Sequence, residues 1–334
     1  MQLSDKHKLK AAITGVGGYL PDDILTNSDL EKMVDTSDEW IVTRTGIRER
    51  RLLKIANKGT SYLCVKAIED LLSKTDTDPL TIDAVILATV TPDFQVSPTS
   101  SVIISEIGAH NAFGFDLSAA CSGFLYALST ATSYVSSGRY QKVIVVGGDM
   151  MSSLVDYTDR TTCILFGDGA GAVLIEPSQN GFGFEDEYCR SDGYNQMLLG
   201  VKAGGSLYPT SIETVKNKWH KLYQDGPTVY KRAVSEMYNA TFEILKRNGL
   251  DADTIDFFLA HQANKRIIDS TANRIGIDSV KVLLNIDRYG NTTCATIPLL
   301  LYDYENQFKI GSKMIITAFG GGFTWGSAYL TWAY

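Results

Sequence analysis

The sequence predicts a layered α/β protein made of two pseudo-symmetric halves, roughly 1–178 and 179–334, and three observations carry that reading. At 334 residues the chain is long enough for two domains or one large duplicated one. Amphipathic helical stretches alternate with short apolar strands, the pattern of sheets covered by helices and, here, expected to be mostly parallel. Finally, the chain repeats itself: "YLCVKAIEDLLSKTDTDPLTIDAVILATVTPD" (62–93) is answered by "YNATFEILKRNGLDADTIDFFLAHQAN" (238–264). Each copy is a helix, a polar break, the tripeptide Thr-Ile-Asp, and an apolar strand with a polar end. Duplication fixes the architecture before any motif does, and two such halves are expected to pack as five layers, α-β-α-β-α.

Taken in order, "AAITGVGGYLP" reads as a first strand and a turn, followed by the helix and strand of the first repeat. In "GFDLSAACSGFLYALSTATSYVSSG" a loop of small residues becomes an apolar helix. Phe124, Leu125, Leu128, Ala131 and Val135 recur at helical spacing, so the helix begins near Ser118 to Ser122. "GRYQKVIVVGGD" (138–149) is a buried strand matched by "FKIGSKMIITAFGGG" (308–322), with the first two repeat pairs offset by 171–173 residues. "FGDGAGAVLIE" (166–176) has some likeness to "FGGGFTWGSAYLTW" (319–332), at a different place in the order. "EPSQNGFG" (176–183) is the joint between halves, and 184–230 reads as an excursion roofing a cleft.

Composition narrows the function. Hydrophobic content of 44% with 21% charged residues is that of a soluble globular protein, and no run approaches the about 18 apolar residues of a membrane helix. The N-terminus lacks the apolar core of a signal peptide, and five scattered cysteines without a CxxC pair fit a reducing compartment. A cytoplasmic protein without a metal site is therefore expected. The net charge of −7 disfavours nucleic acid as a partner. Local basic clusters are Lys231 with Arg232, Lys265 with Arg266, and Arg274.

Cys121 stands where a thiol meets the positive end of a helix, a place that favours thiolate and makes sulfur a nucleophile. Shifted by about 170 residues, Cys121 falls on Asn291 to Thr292 in "YGNTTCATIPLLLY". His261 ends the strand of the second repeat. Strand C-termini and the helix starts that follow line the sites of α/β sheets, so Cys121, His261 and Asn291 are expected to converge between the halves.

Six stretches then carry a resemblance: "VDTSDEWIVTRTGIRERR", "AACSGFLYAL", "DRTTCILFGDGAGAVLIE", "HQANKRII", "DRYGNTT" and "AFGGGFTWGS". From about residue 10 onward the chain resembles the β-ketoacyl-acyl-carrier-protein synthase III family, condensing enzymes of thiolase fold that start type II fatty-acid synthesis. The resemblance implies that an acyl-CoA acylates Cys121 and that malonyl-carrier protein then loses carbon dioxide and attacks the acyl-enzyme. His261 and Asn291 would hold the enolate oxygen, Cys121 and Gly321 N–H groups would form the oxyanion hole, and Phe319 would shield the malonyl carboxylate. Trp40 and Arg160 match an adenine sandwich, Arg44 a phosphate contact and Asn264 a pantetheine contact. Lys231, Arg266 and Arg274 match a docking rim for the acidic carrier. Ser97, on a loop that crosses a homodimer interface in the family, stands where some relatives with an acetyl-sized pocket place phenylalanine. It would leave room for longer primers, and Thr36 would line the same pocket. No cofactor is implied beyond the CoA thioester, and neither a nucleic acid nor a membrane is a partner.

Two rivals remain. One is a relative of specialised metabolism that uses the same three residues on other acceptors. The other is a papain-like peptidase, which also has the order Cys, His, Asn; His261 follows Cys121 by 140 residues. The peptidase lacks support from the residues around Cys121, and the duplicated α/β pattern contradicts it.

Overall fold

The computed structural model describes residues 9–334. Strand β1 (Ala11–Tyr19) is followed by a small antiparallel pair, β2 (Ile24–Thr26) and β3 (Glu49–Arg51), with helices α1 (Asn27–Glu31) and α2 (Asp38–Thr45) between them. Then come α3 (Thr60–Thr75), β4 (Ala84–Ala88), α4 (Thr99–Glu106), β5 (Phe113–Leu117), α5 (Gly123–Ser136), β6 (Val143–Met150) and β7 (Asp168–Pro177). The remainder runs β8 (Phe184–Ser191), β9 (Leu199–Val201), α6 (Ile212–Lys216), β10 (Leu222–Gln224), α7 (Gly226–Arg247), β11 (Phe257–Ala260) and α8 (Lys265–Ile275). It closes with α9 (Ile286–Tyr289), α10 (Thr296–Tyr304), β12 (Lys313–Gly320) and β13 (Thr324–Thr331).

The two large sheets share one plan. The first has the order β1-β7-β6-β4-β5 and the second β8-β13-β12-β11. Where a counterpart of β5 would pair with β11, the described residues form only an isolated parallel bridge between Phe258 and Val282. The glycine-rich strands β7 and β13, out of order in the sequence comparison, hold the same place in their sheets.

The sheets are mixed rather than mostly parallel. β4 is parallel to β5 and β6, and β11 to β12. β7 runs against β1 and β6, and β13 against β12 and β8. For β12 and β13 the cause is the short link after Gly320, since a turn of that length joins only antiparallel strands.

Layering follows from which side chains are apolar. Both faces of β6 are covered, so its run "VIVV" is continuous rather than alternating. Val145 points inward to a core shared with Phe124, Leu128, Leu300 and Ile316, while Ile144 points outward to Leu63, Ile68 and Leu71 of α3. A third core packs Met237 and Ile244 of α7 and Ile268 of α8 on Phe258 and Ile315. The order is therefore α3 and α4, first sheet, α5 and α10, second sheet, α7 and α8. Five layers result, as the repeat predicts.

The expected excursion is shorter than 184–230. β8 pairs along the length of β13 and so belongs to the sheet, while Asp225 caps α7 with Pro227 in its first turn. Only 192–225 lies outside the layers, and it carries the β9–β10 pair and α6. Among the described residues no helix is long and apolar enough to cross a membrane.

Candidate active site

The corner that carries Cys121 is built by backbone constraint. After β5 the chain enters a 3-10 turn, Ala120–Ser122, and α5 starts at Gly123, one residue past the 118–122 window expected from its apolar spacing. Ala120 has φ +46°, a left-handed conformation unusual for a residue with a side chain. Ser122 Oγ donates to Thr324 O at 2.9 Å, and Thr324 Oγ1 donates to Ala119 O at 2.7 Å, pinning the corner to β13. A Cβ placed on Gly320 would lie 2.5 Å from Cys121 N, so only glycine lets the end of β12 press against this corner. The sequence reading missed Gly320 and named its neighbour Gly321.

Cys121 lines a cavity of about 970 Å³ together with His261, Asn291, Phe319 and Gly321. His261 follows β11, with its N–H bonded to Thr317 O at 2.8 Å and its Nδ1 2.7 Å from Thr296 Oγ1. Asn291 is held by backbone bonds to Leu165 and Gly167. Its Oδ1 accepts the Thr293 N–H at 2.9 Å, which leaves Nδ2 as the free polar group of a side chain that lines the cavity. The predicted convergence of sulfur, imidazole and amide on one space is present.

Behind Asn291 lies Asp149, fully buried at the end of β6. Oδ1 accepts Thr89 Oγ1 at 2.8 Å, the Val90 and Thr91 N–H groups at 2.7 and 3.1 Å, and Thr91 Oγ1 at 3.0 Å. Oδ2 accepts Thr293 Oγ1 and the Cys294 N–H. These bonds hold Thr293 at φ +49°, the same left-handed conformation as Ala120.

That corner corrects the alignment of the halves. Thr293–Ala295 forms a 3-10 turn leading into α10, as Ala120–Ser122 leads into α5. Ala120 thus matches Thr293 and Cys121 matches Cys294, an offset of 173 residues (294 − 121), not Asn291 or Thr292. Cys294 is sealed, its Sγ donating to Ala120 O at 3.1 Å.

Protonation also differs from expectation. Burial pushes the Cys121 thiol up to about 12, and the charge of Asp149 adds to the rise; the thiol's own backbone N–H offsets part of it. The resting sulfur is a thiol, because desolvation outweighs the favourable helix start. Burial pulls the His261 imidazole down to about 3, so the ring is neutral.

Of the remaining predicted residues, Trp40, Arg44, Asn264 and Arg266 line the same cavity. The Arg160 guanidinium lies 5.6 Å from the Trp40 ring centroid and Arg44 lies 5.7 Å from it, with Arg160 held by Asp35 O at 2.8 Å. Asn264 is also the N-cap of α8, its side chain accepting the Arg266 N–H. Arg266 and Arg274 rest on Tyr230 and Tyr238 of α7, and Lys231 is exposed beside them. Lys231 and Arg274 are outside the cavity. Thr36 does not line it either: its Oγ1 is buried just before the Ser37 cap of α2. Ser97 sits on an exposed loop, away from the cavity of its own chain. The apolar wall of Met151, Leu154, Ile164 and Leu222 was not foreseen, although Ile164 lies within the "DRTTCILFGDGAGAVLIE" stretch.

The family described as 3-oxoacyl-[acyl-carrier-protein] synthase III matches residues 115–193, and its C-terminal counterpart matches residues 245–332. The chain is 52% identical over 327 residues to the Beta-ketoacyl-[acyl-carrier-protein] synthase III of Phocaeicola vulgatus, and 50% identical over 328 to that of Porphyromonas gingivalis. Each alignment covers 98% of both chains. The crystal structure of 3-oxoacyl-[acyl-carrier-protein] synthase III from Aquifex aeolicus superposes with a TM-score of 0.89 at 38% identity, covering 96% of this chain and 100% of that one. This chain belongs to the β-ketoacyl-[acyl-carrier-protein] synthase III family.

Proposed function

We propose that the chain condenses a short acyl-CoA with malonyl-[acyl-carrier protein] to give a 3-ketoacyl-carrier protein, CoA and carbon dioxide, the first elongation step of fatty-acid synthesis. The observation that carries this reading is a single cavity lined by Cys121, His261 and Asn291 and, further along, by Trp40 and Arg44. In the first half-reaction the Cys121 sulfur attacks the acyl carbonyl, the thioester bond to CoA breaks, and the thiol proton passes to the departing CoA sulfur. N–H groups of Cys121 and Gly321 hold the oxyanion. In the second, the malonyl carboxylate leaves as carbon dioxide, and the enolate that forms rests on His261 and on Asn291 Nδ2. Its carbon attacks the acyl-enzyme, and the Cys121 sulfur departs and takes up a proton from solvent. Phe319 keeps water from the carboxylate, whose loss desolvation favours. No cofactor takes part.

Arg44, Trp40 and Arg160 receive the nucleotide end of CoA, Asn264 the pantetheine arm, and Lys231, Arg266 and Arg274 the carrier protein. The two halves, 1–178 and 179–334, supply the sulfur and its partners respectively. Phe94 and Val96 are strongly exposed beside Ser97, which favours a homodimer in which this loop reaches the partner's pocket. The enzyme works in the cytoplasm.

Acetyl-CoA should add one acetyl group at Cys121, read by peptide mass spectrometry. His261→Ala and Asn291→Ala should still acylate yet fail to release carbon dioxide from malonyl-carrier protein. Absence of any adduct with a panel of short acyl-CoA primers would remove the nucleophile, and normal condensation by both variants would remove the enolate donors. In that panel, isobutyryl-CoA turned over as well as acetyl-CoA supports extra room at Ser97, and strict acetyl preference refutes it.

A further inference from the structure

An imidazole that donates to a substrate oxygen must carry its proton on Nε2, and a neutral ring has only one proton to place. The group facing Nδ1 therefore decides what His261 can do. That group is the hydroxyl of Thr296, 2.7 Å away, in the first turn of α10. His261 is 2% exposed and Thr296 1%, so water does not replace it.

A hydroxyl can donate to the ring or accept from it. Thr296 Oγ1 has one other acceptor in reach, Thr293 O at 3.2 Å. That carbonyl already takes the Thr296 backbone N–H in the 3-10 turn, and the ring nitrogen is the nearer partner by half an ångström. Among the described residues no carboxylate or backbone carbonyl bonds to Nδ1, so nothing else calls for a proton there.

We propose that Thr296 donates its hydroxyl proton to His261 Nδ1 and so acts as the positioning residue that keeps the ring proton on Nε2. Thr293 supports both donors from one corner: its N–H fixes the Asn291 amide, and its carbonyl fixes the backbone of Thr296. His261 is then a hydrogen-bond donor to the enolate and not the base that deprotonates Cys121, which agrees with a thiol proton leaving on CoA.

The inference rests on the enolate-holding role of His261, and the test separates the two. In the protein labelled with ¹⁵N-histidine, NMR reads which ring nitrogen of His261 carries the proton, with His261→Ala giving the assignment. Nε2–H is expected; Nδ1–H in the wild-type protein overturns the proposal without any variant. Thr296→Val keeps the shape and removes the hydroxyl. It should shift the tautomer balance and slow decarboxylative condensation about tenfold or more, the worth of a hydrogen bond in a desolvated site. Acylation of Cys121 should persist in that variant and so report an intact fold. Thr296→Ser should restore both ring state and rate. A Thr296→Val protein with wild-type ring signals and wild-type condensation overturns the proposal, as does a serine variant that restores neither. Normal condensation by His261→Ala would instead remove the underlying role of the ring.

Discussion

Cys121 and His261 share one electrostatic circumstance: each is buried, and each rests in its neutral form. For the sulfur this makes reactivity a matter of pH. With the thiol near 12, alkylation of Cys121 by iodoacetamide should rise about tenfold per pH unit through the whole neutral-to-alkaline range. A plateau near the ordinary thiol value of about 8.5 would contradict the burial described here. For the ring the consequence is stability. The unfolded chain binds a proton at His261 below about 6.5, whereas the folded chain refuses it until about 3. The contribution of His261 is thus fully present above the unfolded value and lost as pH falls through that window, at about 1.4 kcal/mol per pH unit. Urea unfolding across pH 6 to 4 should show a shallower loss for His261→Gln than for the wild type, and equal slopes would refute a neutral buried ring. Sequence made Cys121, His261 and Asn291 legible as the candidates that share the cavity because their motifs are long. It could not reveal the direction of the thiol shift, which depends on burial and on Asp149, about 30 residues from Cys121 in sequence but beside it in space.

At the scale of elements, the site depends on how closely corners approach strands. A Cβ on Gly147 of β6 would lie 2.2 Å from Cys294 O, so the corner that carries Asn291 packs directly on the strand backbone. Gly147→Ala should cost about 1–3 kcal/mol, the range for overpacking, and should impair condensation as the corner is displaced. Gly205→Ala, where a Cβ meets nothing within 4 Å, serves as the control, and equal denaturation midpoints for the two variants would contradict the packing. The helices and strands themselves could be read from periodicity. Strand β8 could not, because "FEDEYCRS" is polar: it edges its sheet and is only partly buried. The parallel expectation failed for a similar reason, since direction is set by links such as the turn after Gly320 and not by composition. The register of the two halves was misjudged by about three residues, because the matching feature is the backbone conformation of Ala120 and Thr293, which residue identity does not show.

For the whole molecule, charge and layering act together. The chain carries −7 overall, yet Arg266 and Arg274 of α8 lie over Tyr230 and Tyr238 of α7, and Lys231 of α7 is exposed. Arg274→Glu should raise the KM for malonyl-carrier protein several-fold at low salt, because it reverses a rim charge, while leaving acetyl transfer from CoA to Cys121 unchanged. An unaltered KM would place the carrier elsewhere. The five-layer plan was legible from the repeat, because duplication constrains the fold more tightly than any single motif. Its deepest consequence concerns Cys121 and Cys294. In a pair of identical subunits, matching bends must carry matching side chains. Tandem fusion removes that obligation: one bend opens its thiol to the cavity, while its twin buries the equivalent sulfur and presents an amide three residues earlier. On the proposed chemistry the acyl-enzyme meets one of these matched turns and the enolate the other, so substitutions at either are expected to alter one chemical stage and spare the other.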